Sequence, residues 1–519
     1  MTAAELFISG LQRRGVSWMA TLCGHGLDPL FHAARKAGMT LIDVRNEQTA
    51  SYIADAYGRL TRQPGVCAVS SGIAQVNALT GVMNAWFDDG PLLLISGAAD
   101  ISTAGLGHFQ DADQVALAKP ITKFSRSIDC AARTAQILDE ALEQALADPP
   151  GPVHLMFPMD VQNSEVDDSA IVPPTPVHSR RTTADANFDE IVRAMAGSKA
   201  PLVIAGSGLF YDNTGADMLR FCEDCKVPVV TPIWDRGSVD HPSPVFFGVI
   251  GAASGGPAIL SDADCILMAG AEVDYRVGYL QPPAVRSDAR IFAFRRGWNA
   301  LTSICRQQDG SAREAWLAAC TRRRDEFRQR VKQRAQQQAS GALHALHIVR
   351  AIRQVLEENP ILLIDGGSIG QWAHQLICCD RYPGDWLTCG RSGVVGWGIG
   401  GAMAARLAYP NRPVILLSGD GAFTFNIADI ECAVRQKLPF AAIVADDRGW
   451  GITRTGHVRQ FGEPIASSLG AIAFDRLAES LGARGVRVST PEEISHELRR
   501  TILEPVVTII HVPIAGGNP

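Results

Sequence analysis

Apolar runs of strand length recur along the chain, separated by longer segments with apolar residues at helical spacing. In the first third they fall at residues 41–44, 65–70, 91–96 and 153–157. The runs are apolar at consecutive positions, the pattern of strands buried on both faces. A second series falls at 201–205, 227–231, 265–270 and 291–293, and a third at 361–364, 385–388, 414–418, 441–445, 483–488 and 506–512. Buried strands alternating with helices predict doubly wound parallel sheets in an α/β fold. Three blocks are expected, at residues 1–165, 186–325 and 342–519. The outer two each open with a long amphipathic helix, HALHIVRAIRQVLEE in the third, which suggests two copies of one fold flanking a third. The Pro- and Ser/Thr-rich stretch VPPTPVHSRRTTAD (172–185) reads as a linker. The stretch RRRDEFRQRVKQRAQQQASG (322–341) has no apolar face wide enough for a core helix. It reads as a connector, partly helical at its start.

Composition narrows the class. The chain has 519 residues, 46% hydrophobic and 20% charged, which are globular values. Lys plus Arg is 48 and Asp plus Glu is 54, a formal charge of −6. That balance argues against nucleic acid or an anionic membrane as partner. The first residues, MTAAELFISGLQRRG, carry a short apolar stretch interrupted by Glu5, with neither a basic front end nor a cleavage site. No run approaches the ~20 apolar residues of a spanning helix, so a soluble, cytoplasmic protein is expected. Twelve cysteines in a chain of this length are not a disulfide framework. The one CxxC, Cys222–Cys225, has no second pair to complete a zinc site and is read as part of a helix running into a buried strand.

The sharpest chemical signal lies at 414–451, VILLSGDGAFTFNIADIECAVRQKLPFAAIVADDRGWG. A buried strand ends in Gly419-Asp420-Gly421, a helix follows, and a second buried strand ends in Asp446-Asp447. In parallel sheets ligands bind beyond the carboxyl ends of strands, so both acidic positions fall at one edge. The glycines admit a phosphate to the backbone, the helix start favours an anion, and a carboxylate pair beside a diphosphate suits Mg²⁺.

Asp447 follows Asp420 by 27 residues. With that spacing the segment resembles the cofactor motif of thiamine diphosphate (ThDP) enzymes. The whole chain is similar to their acetolactate synthase-like superfamily, which includes acetolactate synthase, benzaldehyde lyase and oxalyl-CoA decarboxylase/2-hydroxyacyl-CoA lyase. The resemblance implies a pyrimidine-binding, a central and a diphosphate-binding domain, in that order. It implies Mg²⁺ on Asp420, Asp447 and the Gly449 carbonyl, with Asp447 departing from the family's usual asparagine and adding negative charge beside the diphosphate. The segment DVRNEQTASYIADAYGRLTRQPGVCAVSSG (43–72) is similar to the family's glutamate motif and puts Glu47 in the catalytic position. There a carboxyl bonds the cofactor's pyrimidine nitrogen and shares a proton with it, helped by burial. TCGRSGVVGWGIGGAMAARLAYPNRP (388–413) resembles the segment that holds the bent cofactor. By position Val395 is the wedge under its rings, the Gly393 backbone accepts from its amino group, and Gly421, Ala422 and Ser368 reach its diphosphate.

On the substrate side the resemblance brings Phe109, Gln110 and His25 near the reaction centre, with His25 as a proton donor or base. Trp450 would wall the pocket. The implied activity is C–C bond cleavage or ligation of small 2-oxo acids, aldehydes or acyloins, by decarboxylation and carboligation, in a homodimer or homotetramer with sites at the subunit interface. Alternatives are a 2-hydroxyacyl-CoA lyase or oxalyl-CoA decarboxylase, or a non-catalytic ThDP-fold protein used in assembly or regulation. Some members carry FAD in the central domain. GAEVDYRVG (270–278) matches that segment only loosely, and a chain without FAD is the favoured reading.

Overall fold

The computed structural model describes residues 1–167, 188–251, 256–338 and 342–517; the expected linker at 172–185 lies outside them. The first block builds a sheet from β1 (Trp18–Leu22), β2 (Thr40–Asp43), β3 (Gly65–Val69), β4 (Leu92–Ala98), β5 (Phe124–Ser127) and β6 (Pro152–Pro158). The central block contributes β7 (Pro201–Ala205), β8 (Val229–Pro232), β9 (Phe246–Ile250), β10 (Cys265–Ala269) and β11 (Arg290–Ala293). The third contributes β12 (Ile361–Asp365), β13 (Leu387–Thr388), β14 (Val414–Gly419), β15 (Ala441–Asp446), β16 (Arg484–Arg487) and β17 (Thr508–Pro513). The orders are β2-β1-β3-β4-β6-β5, β11-β10-β7-β8-β9 and β13-β12-β14-β15-β17-β16. Every pairing within the sheets is parallel. Counted within its own block, the first and third sheets share one order, so the outer blocks are two copies of one topology. Among the described residues no helix is long and apolar enough to cross a membrane.

Three strands escape the apolar-run reading. β5 is FSRS, a half-buried edge strand with polar residues. β9 contains Gly248, and β1 lies close behind the first helix, Ala3–Arg13. The expected strand at 385–388 shrinks to Leu387–Thr388, and Asp385, ahead of it, pairs with Arg412. The stretch read as a connector is a correction. Its residues 322–338 belong to one helix, Ser311–Gln338, with Trp316, Cys320, Val331 and Ala335 buried. Arginine stems cover apolar surface there while their heads find partners: Arg324 lies over the Phe247 ring at 5.0 Å, and Arg323 pairs with Asp262.

The first and third blocks meet through the helices Glu47–Thr61 and Gly398–Ala408. Gly400 is bare because a Cβ there would stand 3.0 Å from that of Tyr52. Arg59, fully buried, seals the seam against Asp55 (3.4 Å) and Asp88 (3.3 Å) and donates to the Thr388 carbonyl at 3.0 Å. Even with that guanidinium beside it, burial pushes Asp55 up to about 6. Arg59→Ala should therefore lower unfolding stability by about 3–5 kcal/mol, since it leaves the buried Asp55 without a counter-charge. Denaturant unfolding of the full chain measures this; a loss under about 1 kcal/mol would show that the seam does not depend on Arg59.

Candidate active site

β12, β14 and β15 are neighbours, and their carboxyl ends supply Asp365, Gly419 and Asp446 to one edge of the third sheet. At the end of β14 the chain turns directly into a single helical turn, Asp420–Phe423. Asp420 is 4% exposed, and its Oδ2 accepts from the Gly449 amide at 3.1 Å. That bond joins the two strand ends the spacing had paired. Burial first, then the nearby Asp447 and Asp446 carboxylates, push Asp420 up to about 7.

The turn after β15 is held from several sides. Asp446 Oδ1 accepts from the Arg448 amide at 3.1 Å, and its Oδ2 lies 2.9 Å from His511 Nε2, whose Nδ1 lies 3.2 Å from Asp475. Burial alone would raise Asp446; the His511 and Arg448 contacts hold it below the usual carboxylate range. Gly449 bridges to Ser468, and the Trp450 amide donates to the Ser467 carbonyl at 2.9 Å. Asp447 pairs with Arg454 at 2.9 Å; burial raises its carboxyl against that pull.

A cavity of about 260 Å³ opens at this edge, and every residue lining it comes from the third block. It gathers Ser368, Val395, Asp420, Gly421, Ala422, Asp447, Gly449 and Trp450, eight positions the sequence reading had singled out. Trp450 lies across Gly421, where a Cβ would stand 2.7 Å from its ring. Val395 is set by Asp365, a buried carboxylate that accepts from the Gly396 amide (3.1 Å) and the Gly398 amide (2.8 Å). Gly393, two residues before Val395, has φ +67 and open space where a side chain would be; it is not among the lining residues.

Glu47, His25, Phe109 and Gln110 lie elsewhere in the chain. Glu47 opens the helix Glu47–Thr61 and is half-buried. Its Oε2 accepts from Asn77 Nδ2 at 2.6 Å. The third block anchors this helix start through Asp429, which accepts from the Arg45 amide at 2.7 Å and from the Thr49 hydroxyl. His25 stacks on His108 with ring centroids 5.4 Å apart and meets the Phe109 ring edge-on at 5.7 Å. Gln110, at φ +55, accepts from the Ser70 and Ser71 hydroxyls at 3.3 and 3.2 Å. The first block thus collects its own predicted residues at its own sheet edge.

Sequence reasoning missed Arg454, Asp365, Asn77 and His108. Asp365 had a signal, a carboxylate at a buried strand end before two glycines. The other three act across turns or between elements that no local spacing announces.

Comparison with known proteins accords with this geometry. Residues 1–117 match the thiamine pyrophosphate enzyme N-terminal TPP binding domain, 188–295 the central domain and 365–512 the C-terminal TPP binding domain. A probable acetolactate synthase of Mycobacterium bovis is 28% identical over 99% of this chain and 95% of its own length. A 2-hydroxyacyl-CoA lyase 2 of Caenorhabditis elegans is also 28% identical, over 97% of this chain and 87% of its own. A probable acetolactate synthase large subunit of Methanocaldococcus jannaschii is 26% identical over 100% and 93%. With all three domains matched in order and relatives spanning the full fold, the chain belongs to the acetolactate synthase-like family of thiamine diphosphate-dependent enzymes, which act as carboligases or lyases.

Proposed function

We propose that this protein is a ThDP- and Mg²⁺-dependent C–C lyase or carboligase acting on small 2-oxo acids, aldehydes or acyloins. The observation that carries this reading is the carboxylate pair Asp420 and Asp447 facing one cavity at the carboxyl edge of the third sheet. Two oxygen donors at a strand edge suit a hard divalent cation, and the bare backbone of Gly419 and Gly421 beside them would leave room for a phosphate group. Asp420 and Asp447 would hold the cation with the Gly449 carbonyl. The amides of Gly421 and Ala422, with Ser368, would hold the diphosphate, and Val395 would support the rings. When bound, the cofactor supplies the electron sink for breaking or making the C–C bond. Glu47 would hold and return a proton at its carboxyl, and His25 would do so at its imidazole.

A second reading, 2-hydroxyacyl-CoA cleavage, is supported by relatives of that name at the same identity. Product analysis with ThDP and Mg²⁺ over a panel of 2-oxo acids, acyloins and 2-hydroxyacyl-CoA thioesters separates the two. Turnover confined to the thioesters would replace the first reading by the second. ThDP binding without turnover of any class would favour a non-catalytic role.

We further propose that the working unit is at least a homodimer. Glu47 lies beside the helix Ile73–Phe87, whose Ile73, Val76, Met83 and Phe87 form an exposed apolar stripe. Near the cavity, Phe425 and Ile452 are exposed as well. Apolar patches at both half-sites support their burial against a second copy, with Glu47 of one chain serving the cavity of the other. A Glu47→Gln chain mixed with an Asp420→Ala chain should then regain activity, since a heterodimer contains one intact site. No recovery despite proven subunit exchange would place each site within a single chain.

A further inference from the structure

We propose that Arg454 is the built-in counter-charge of Asp447 and a positioning residue of the divalent-cation site. It lets a carboxylate serve where its extra negative charge would oppose an anionic cofactor. The proposal rests on the cation reading above and concerns a residue outside the cavity lining.

Three hydrogen bonds place the guanidinium. Nη2 donates to Asp447 Oδ2 at 2.9 Å, and Nη1 donates to the Asp447 carbonyl at 3.0 Å and the Arg448 carbonyl at 3.2 Å. One side chain therefore grips both the carboxylate and the backbone of the turn that presents it. The turn is a demanding one, with Arg448 at φ +54. Room for the guanidinium is made on two sides by missing side chains. A Cβ on Gly449 would stand 2.5 Å from Arg454 Nη1, and a Cβ on Gly516 would stand 2.6 Å from Nη2. Gly449 and Gly516 come from different elements, so the pocket around the guanidinium is built from two directions.

Helix electrostatics sharpen the point. Arg454 stands in the first turn of the helix Gly451–Phe461, where the helix dipole disfavours a cation. Its side chain turns back from that helix to the strand end. Asp447 and Arg454 are 8% and 23% exposed in their side chains, so the pair is shielded enough for its Coulomb attraction to count.

The charge arithmetic gives the consequence. Asp420 and Asp447 bring two negative charges and Arg454 returns one. The net charge of the three equals that of a single aspartate. Asp446 stands just behind, met by His511 at 2.9 Å, so without Arg454 three carboxylates would crowd a site that must also accept a diphosphate. Replacing Asp447 alone should leave an unpaired guanidinium beside the cation. Replacing Arg454 alone should leave an uncovered carboxylate beside the diphosphate.

A double-mutant cycle on the full-length chain tests this, with two binding readouts that need no turnover: Mn²⁺ alone, followed by EPR, and ThDP at saturating Mg²⁺, followed by calorimetry. Asp447→Asn should weaken Mn²⁺ binding by about tenfold or more, and Arg454→Gln should weaken ThDP by about tenfold without weakening Mn²⁺ alone. The double variant should return both affinities to within about threefold of wild type, the non-additivity expected of a coupled pair. A merely structural brace would not be rescued by the second substitution. Losses that simply multiply in the double variant, or an Arg454→Gln chain with unchanged ThDP affinity, would overturn the Arg454 proposal while leaving the cation reading standing. A wild-type chain that binds no Mn²⁺ would overturn both.

Discussion

Replacing Asp420 by alanine should lower Mg²⁺-dependent ThDP affinity by more than about 100-fold, beyond what losing a supporting residue costs, and remove activity with it. Asp420 is nearly buried at the end of β14, and its hydrogen bond from the Gly449 amide ties the two strand ends together. Asp447 alone cannot replace it, because Arg454 already balances the charge of that carboxylate. The substitution should leave the sheet intact, since β14 is held by the β12 and β15 ladders on either side. Calorimetric titration beside a circular dichroism spectrum tests both halves of the expectation. A folded Asp420→Ala chain with near-normal ThDP affinity would remove Asp420 from the cation site.

Glu47→Gln should separate binding from turnover. The glutamine carbonyl can accept the same hydrogen bond that Asn77 Nδ2 now gives Glu47 Oε2 at 2.6 Å. Asp429 would continue to anchor the helix start through the Arg45 amide. Fold and most ThDP affinity should therefore survive. What is lost is the exchangeable carboxyl proton, and positioned acid–base groups are typically worth about 10²–10⁴-fold. The variant's kcat should fall by that factor while its ThDP Kd moves by less than about tenfold. A kcat within about tenfold of wild type would take the proton-transfer role away from Glu47.

Much of the architecture was legible because buried parallel strands announce themselves as unbroken apolar runs. β3, β4, β12 and β15 are buried along their whole length. Where burial is partial the signal fades: β5, with a serine, an arginine and a second serine after its phenylalanine, reads like a loop. The helix Ser311–Gln338 was misjudged for a related reason, since its arginine stems cover surface that residue type alone counts as polar. That Asp420 and Asp447 meet at one edge was readable because strand ends fix where a residue falls. Arg454 was not readable. An arginine in a helix's first turn looks solvated until the turn behind it and two glycines from separate elements are seen to close around it.

The most direct measurement needs no knowledge of the substrate. Hydrogen–deuterium exchange at C2 of the thiazolium ring, followed by NMR with the wild-type chain, ThDP and Mg²⁺, reports whether the assembled site activates its cofactor. Exchange faster than in free ThDP by orders of magnitude, lost when Mg²⁺ is chelated, is the expected result. Bound ThDP that exchanges no faster than the free cofactor would contradict the assignment of Glu47, Asp420 and Asp447 to one catalytic site.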